Sequence, residues 1–249
     1  MKNKKIKSIL SITGYFLLVL ALCFSGCLVF HNLYYELIYV SGGSMSPTLN
    51  NHINEDGENK DQEGTIVDFG ILDAHQSAIN HVKRFSIIST YYYDDYEGGL
   101  LKQGSKRKIK RIIAMPNETF KIEKSKLYVL KGDQYEQIPY TFKIEPDISQ
   151  EYTGKDIGET HLGPNEYWVL GDHRDKSRDS GTLGRQIKKE YILGVLVAIE
   201  GQARLKIKNY VCNNCGKTYK EGSVCANCYG TLSPQYDLAN KQYHWPKYY

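Results

Sequence analysis

The sequence predicts a mostly β protein that follows a single N-terminal membrane-spanning helix and ends in a small cysteine-bearing module. Three observations carry this reading. The only long apolar run, Ile9 to Phe30, lies close to the N-terminus. After it come many short runs rich in Tyr, Ile and Val with Gly between them, which suits strands and turns, and no long amphipathic helical pattern appears. Four of the six cysteines sit together near the C-terminus, unlike an evenly spread disulfide framework. With 249 residues the chain suits one to two domains and can bury a real core. Its net charge of +4 is too mild to argue for nucleic acid, and no nucleic-acid partner is expected.

The anchor comes first. Lys2, Lys4, Lys5 and Lys7 precede 22 uncharged residues, which as a helix would span roughly 33 Å, about one bilayer core. The basic flank predicts a cytoplasmic N-terminus and a chain that is extracytoplasmic after Phe30. A cleaved secretory signal is the competing reading, but the run is long for one and no Ala-x-Ala-like site follows closely. Cys23 and Cys27 share a helical face and read as small packing residues. Tyr34, Tyr35 and Tyr39 fit an interfacial aromatic belt.

Asn50 to Gly64, rich in Asn, Asp, Glu and Gly, reads as a mobile solvated loop. Strand-like runs follow at Thr65–Leu72, Phe85–Tyr93, Ile109–Ala114, Thr119–Glu123, Lys126–Leu130, Tyr167–Leu170 and Ile192–Ile199. Ser125-Lys126 and Lys131-Gly132-Asp133 look like hairpin turns. Within the basic stretch Lys102 to Arg111, strand alternation puts Lys110 on one face with Ile112 and Ala114, and with Lys108. A lysine on an apolar face is expensive unless neutral or paired.

Ser44 stands in a turn-prone setting of Gly42, Gly43 and Pro47. A serine hydroxyl needs a base to act as a nucleophile. Seven histidines are present and none lies in a motif that explains it as that base. A lysine serves instead if burial lowers its pKa, and serine–lysine pairs are an established variant of the triad logic.

Gly43-Ser-Met-Ser-Pro-Thr-Leu49, Lys110-Arg-Ile-Ile-Ala-Met-Pro116 and Gly171-Asp-His-Arg-Asp-Lys-Ser-Arg-Asp-Ser180 resemble three ordered blocks of the bacterial type I signal peptidases. Arg84-Phe-Ser-Ile-Ile-Ser89 is similar to a fourth, usually Arg-Gly-Asp-Ile-Val-Val. The likeness covers roughly Tyr39 to Glu200. It implies a β-rich catalytic domain in which Ser44 is the nucleophile and Lys110 the general base, with no cofactor in the reaction. It implies that Ser177 holds the lysine amine, that Asp179 is a structural carboxylate, and that the Ser44 N–H donates to the oxyanion. The implied function is a membrane-anchored serine endopeptidase that removes signal peptides from exported preproteins. The bilayer and the secretion machinery are its other expected partners, and the cell membrane its location. Ser44 lies 14 residues beyond Phe30, which would hold the site at the outer membrane surface.

Four departures stand out. Gly42 occupies a position where some relatives carry a serine that lends a second oxyanion donor. Gly181 replaces an arginine that pairs with the aspartate, which leaves Arg111 or Arg185 as candidate partners for Asp179. Phe85-Ser86 replaces the usual Gly-Asp, and His173 stands where Asn is usual, with no role assigned. The rival functions are a non-catalytic membrane-tethered binding module of the same fold and a peptidase dedicated to a narrow set of surface precursors.

Near the C-terminus, Cys212-x-x-Cys215 and Cys225-x-x-Cys228 are separated by nine residues. Two such knuckles suit four thiolates around one structural zinc, resembling a zinc ribbon, with disulfides as the competing reading. The expected layout is a basic tail (1–8), an anchor (9–30), a catalytic domain (31–204), a zinc-ribbon-like module (205–234) and an aromatic tail (235–249). In that tail Tyr243, Trp245, Tyr248 and Tyr249 are placed to touch the membrane interface.

Overall fold

The structure is a computed structural model that describes residues 2–50, 60–61, 64–102, 105–145 and 156–249; for 2–12, 28, 30–33, 60–61, 64 and 244–246 only the backbone is described. Most of the predicted loop Asn50–Gly64 therefore lies outside the described residues, as do parts of the basic stretch after Lys102.

The chain divides into two units, Met1–Glu36 and Leu37–Tyr249. The first is helix α1, Lys2–Tyr34, which contains the whole predicted anchor and continues past it at both ends. Side chains of the anchor stretch are described for 13–27 and 29, and they are exposed. Among the described residues no helix is long and apolar enough to cross a membrane. The described residues therefore do not show the expected membrane span.

The second unit is built on strands. They are β1 (Tyr35–Val40), β2 (Lys60–Asp61), β3 (Gly64–Asp73), β4 (Ile87–Thr90), β5 (Tyr96–Glu97), β6 (Leu100–Leu101), β7 (Lys108–Ala114) and β8 (Thr119–Glu123). There follow β9 (Lys126–Lys131), β10 (Gln134–Ile138), β11 (Ile157–His161), β12 (Glu166–Leu170), β13 (Ile187–Lys188), β14 (Ile192–Cys212), β15 (Thr218–Tyr219) and β16 (Leu232–Tyr248). Two short helices, α2 (Gln76–Asn80) and α3 (Ser180–Leu183), join them. The main sheet runs β1-β3-β14-β4-β7-β12-β13, with β2 on β3 and both β15 and β16 on β14; a second sheet runs β10-β9-β8-β11.

The strands follow from alternation. In β8 and β9, Phe120, Ile122, Leu127 and Val129 point inward and are buried, while their neighbours stay partly exposed. The turn between them is Lys124-Ser125, both at positive φ (47° and 62°), the geometry of a two-residue hairpin whose twist matches its strands. Three apolar clusters cover the main sheet. One gathers Ile88, Ile112, Val169 and Ile192 with Ile79 of α2. The second joins the sheets through Ile113, Trp168, Leu170, Phe120 and Ile122. The third packs Met45 and Leu49 on Ile38, Leu72, Ile87 and Leu196.

Two elements depart from expectation. The run Ile192–Ile199 is only the start of β14, which continues for 21 residues to Cys212. The stretch expected as a free aromatic tail is strand β16, paired with β14 from Cys212↔Leu232 to Ala198↔Tyr248. Its hydrogen-bonding partner is the long strand itself, which local sequence does not show.

Candidate functional site: a serine and a buried lysine

The Ser44 turn is fixed from below. Met45 and Leu49 are fully buried in the third apolar cluster. Ser46 N donates to Gly43 O at 3.0 Å, and Leu49 N donates to Met45 O at 2.9 Å. Asn50 closes the turn. It sits at φ 54°, donates through its side chain to Val40 O and Gly42 O, and accepts from Asp68 N at 2.7 Å. Its own N–H donates to Asp68 Oδ2 at 2.6 Å. Composition makes Asn50 the start of a solvated loop. It is in fact buried, because its amide satisfies backbone groups that the turn would otherwise leave open.

Lys110 enters from β7. Its Nζ lies 2.6 Å from Ser44 Oγ and 2.9 Å from Ile109 O. The residue is only 4% exposed. Burial pulls its pKa down from 10.5 to about 8; Asp179 and Asp172 oppose this by favouring the ammonium, and Lys108 adds to it. Lys108, on the same predicted face, turns instead to Asp95 and the Tyr92 ring. The amine–hydroxyl pair therefore has the two features proton abstraction needs: hydrogen-bond reach and an amine that is appreciably neutral near physiological pH.

The loop after β12 meets the turn. His173 N donates to Ser44 O at 3.1 Å. Ser46 Oγ donates to Glu145 Oε2 at 2.9 Å, and the same carboxylate oxygen lies 3.3 Å from His173 Nδ1. Thus His173, given no role from sequence, helps hold the Ser44 carbonyl. Gly171 is required where the two segments touch. A Cβ there would sit 2.3 Å from both Ser44 O and Ser177 Oγ. Ser177 is buried beside this point, and its Oγ has no hydrogen-bond partner among the described residues. Both hydrogen bonds of the Lys110 amine go elsewhere, to Ser44 and Ile109.

Asp179 is buried and acts as the N-cap of α3. Its Oδ1 accepts from Gly181 N at 3.0 Å and Thr182 N at 3.4 Å, and its Oδ2 accepts from Gly171 N at 2.8 Å. The arginine partners suggested for it are not its partners. Arg111 is committed to the fully buried Asp172, through Nε at 2.9 Å and Nη2 at 2.7 Å, and also donates to Phe85 O and Thr48 Oγ1. Arg185 lies over the Tyr93 ring. Backbone N–H groups have taken the place of the missing guanidinium, and Gly181 supplies one of them. The Arg111–Asp172 pair was not foreseen, because two residues 61 apart carry no local sign of meeting.

Phe85 adopts φ 69°, a conformation that disfavours a side chain. This explains why glycine is usual in the similar block. Here the ring packs edge-on against Tyr140 at 5.7 Å and Phe142 at 5.3 Å, and the Arg111 guanidinium lies 3.9 Å from the Phe142 centroid. The aromatic contacts offset the backbone strain.

A second cluster lies at the far end of β14. The sulfurs of Cys212, Cys215, Cys225 and Cys228 all fall within 4.8 Å of one another, and all four are free thiols. Asn214 N and Asn227 N each donate to the cysteine two residues earlier at 3.4 Å, and Tyr219 OH contacts Cys225 Sγ at 3.0 Å. Tetrahedral zinc–thiolate bonds of about 2.3 Å would place sulfurs about 3.8 Å apart, so this donor set fits one such ion.

A family described as signal peptidase, peptidase S26, matches residues 10–199 of this sequence. Signal peptidase I U of Bacillus subtilis (strain 168) is 26% identical over 180 residues, covering 72% of this chain and 79% of the relative. A crystal structure of a signal peptidase I from Enterococcus faecalis V583 shares 23% identity over 46% of this chain and 95% of its own, with a TM-score of 0.32. The cysteine cluster and β16 lie beyond the family match.

Proposed function

This chain belongs to the signal peptidase family, peptidase S26, and is a serine endopeptidase of the kind that removes signal peptides; from that premise we propose that Ser44 is its nucleophile and Lys110 its general base. The observation that carries the assignment is the 2.6 Å approach of a buried lysine amine to Ser44 Oγ. Neutral Lys110 takes the Ser44 proton as Oγ attacks the scissile carbonyl. The ammonium then protonates the leaving amine as the peptide bond breaks, which leaves an acyl-enzyme. Lys110, neutral again, activates the water that releases the acyl group. The Ser44 N–H is the proposed oxyanion donor, and Gly42 adds no side-chain donor to it. Asp179 and the Arg111–Asp172 pair hold the loop that presses on the Ser44 turn. The non-catalytic rival does not account for a buried amine held against the serine.

Two finer readings belong with this one. Ile9–Phe30, lying within α1, is the proposed single-pass anchor, with Lys2, Lys4, Lys5 and Lys7 cytoplasmic and the second unit outside. Anchoring enzyme and preprotein in one bilayer would raise their effective concentration. The four cysteines are proposed to hold one structural zinc ion as thiolates, with all four positions filled by protein.

The test is cleavage of a labelled preprotein by detergent-solubilised protein beside its Ser44→Ala and Lys110→Ala variants. Each variant is expected to lose activity by about 10⁴-fold or more. Equal cleavage by all three would refute the assignment.

A further inference from the structure

We propose that the four cysteines, closed around a metal ion, act as a clasp that holds β16 on the catalytic sheet, so that the metal at the distal cluster maintains the sheet that carries Lys110. The inference rests on the reading of the cluster as a zinc site and goes beyond it. The sequence suggests a zinc ribbon as a separate module, yet strand β14 runs from the sheet that holds Lys110 out to the cluster. Lys110 pairs with Ile88 of β4, and Ile88 pairs with Val195 of β14. From Val195 the same strand runs on to Cys212, the first cysteine of the cluster. The chain leaves the cluster at Leu232, directly opposite Cys212, and β16 then runs back to pair Tyr248 with Ala198. Tyr249 N adds a hydrogen bond to Val197 O at 3.0 Å.

What β16 does there is visible at Gly201. Gly201 of β14 pairs with Phe69 of β3 on one side and Tyr243 of β16 on the other. A Cβ at Gly201 would lie 2.1 Å from Gln242 O, so only glycine lets β16 approach. Over the gap the rings of Phe69 and Tyr243 meet edge-on at 5.2 Å, and Lys241 Nζ lies 5.9 Å from the Phe69 ring. Phe69 is fully buried, and it belongs to none of the three apolar clusters. The C-terminal strand supplies part of its cover, through Tyr243 and Lys241. Aromatic rings closing over a strand glycine are a recognised way of pinning register. Beside Phe69, Asp68 holds Asn50 of the nucleophile turn and accepts from Gln202 of β14.

Between Leu205, where β3 stops pairing, and Tyr210, where β15 begins, β14 has β16 as its partner among the described strands. Lys206, Ile207 and Lys208 of β14 and Tyr236 and Asp237 of β16 are exposed. Two-stranded hairpins are marginal alone in water. Closing both ends of the intervening chain through four ligands supplies the missing stabilisation, since metal binding to a site absent from the unfolded chain is folding free energy.

The experiment uses the full chain in detergent, with its metal content measured and backbone hydrogen exchange followed by mass spectrometry. Removing the metal with a chelator is expected to speed exchange at 66–70 and 232–248 by about tenfold or more, reversed by adding zinc. A Tyr243→Ala variant is expected to keep its metal while exchange at 66–70 alone accelerates. Metal loss that leaves exchange at 66–70 and 232–248 unchanged would overturn the clasp while leaving zinc binding intact. A purified chain without metal, its four cysteines free or oxidised, would overturn both readings.

Discussion

The two ends of β14 are held in different ways. Near its start, Ile192, Leu196 and Ile199 are 4%, 1% and 2% exposed and pack against neighbours on both sides of the strand. Further along, Ile207 is 46% exposed and lies past Leu205, the last β14 residue paired with β3, with β16 as its partner among the described strands. The first end is specified by burial and by the alternation that produces it. The second is exposed through Lys206, Ile207 and Lys208 and ends at the cluster of four sulfurs. The lesson is that one strand can be half core and half exposed hairpin, and that the boundary falls where β3 stops pairing with it.

The comparison breaks most sharply at Gly171. Gly171→Ala drives a methyl into Ser44 O and Ser177 Oγ, and is expected to cost about 1–3 kcal/mol of stability and about 10²-fold in activity through misplacement of the nucleophile. A denaturation midpoint and a preprotein assay check both. Within β14, Leu196→Ala should destabilise by about 2–5 kcal/mol, whereas Ile207→Ala should fall within about 1 kcal/mol while the metal is bound. Equal losses at the two positions would dissolve the distinction between the ends. The smallest effect concerns Gly42, where an added Cβ meets nothing within 4 Å. Gly42→Ser should leave the melting temperature unchanged and raise kcat by up to about tenfold if the new hydroxyl reaches the oxyanion.

Much of the sheet could be read from the sequence because alternation and turn residues are local. Thr119–Glu123 emerged with the predicted bounds, and its hairpin turn lay one residue from the expected position. β16 was missed because its sequence, with Pro234, Asn240 and scattered tyrosines, looks like a tail until Gly201 and Phe69 are opposite it. The serine and lysine were legible through a resemblance in ordered blocks. Their supports were not: Asn50 looks polar and exposed, and the Arg111–Asp172 pair forms only when β7 and the β12 loop come together. Phe85 hid a left-handed backbone behind an ordinary aromatic residue.

The central claim is that Lys110, whose amine burial makes easier to deprotonate, is the base for Ser44. The most direct measurement is the pH dependence of kcat/KM for preprotein cleavage from pH 6 to 10, with Lys110→Ala beside it. Burial favours the neutral amine, so the reactive fraction grows as pH rises. The account predicts a rise of about tenfold per pH unit below the pKa, levelling as the amine titrates near 8, with the variant inactive throughout. A profile that is flat over that window, or one that survives intact in Lys110→Ala, would contradict it.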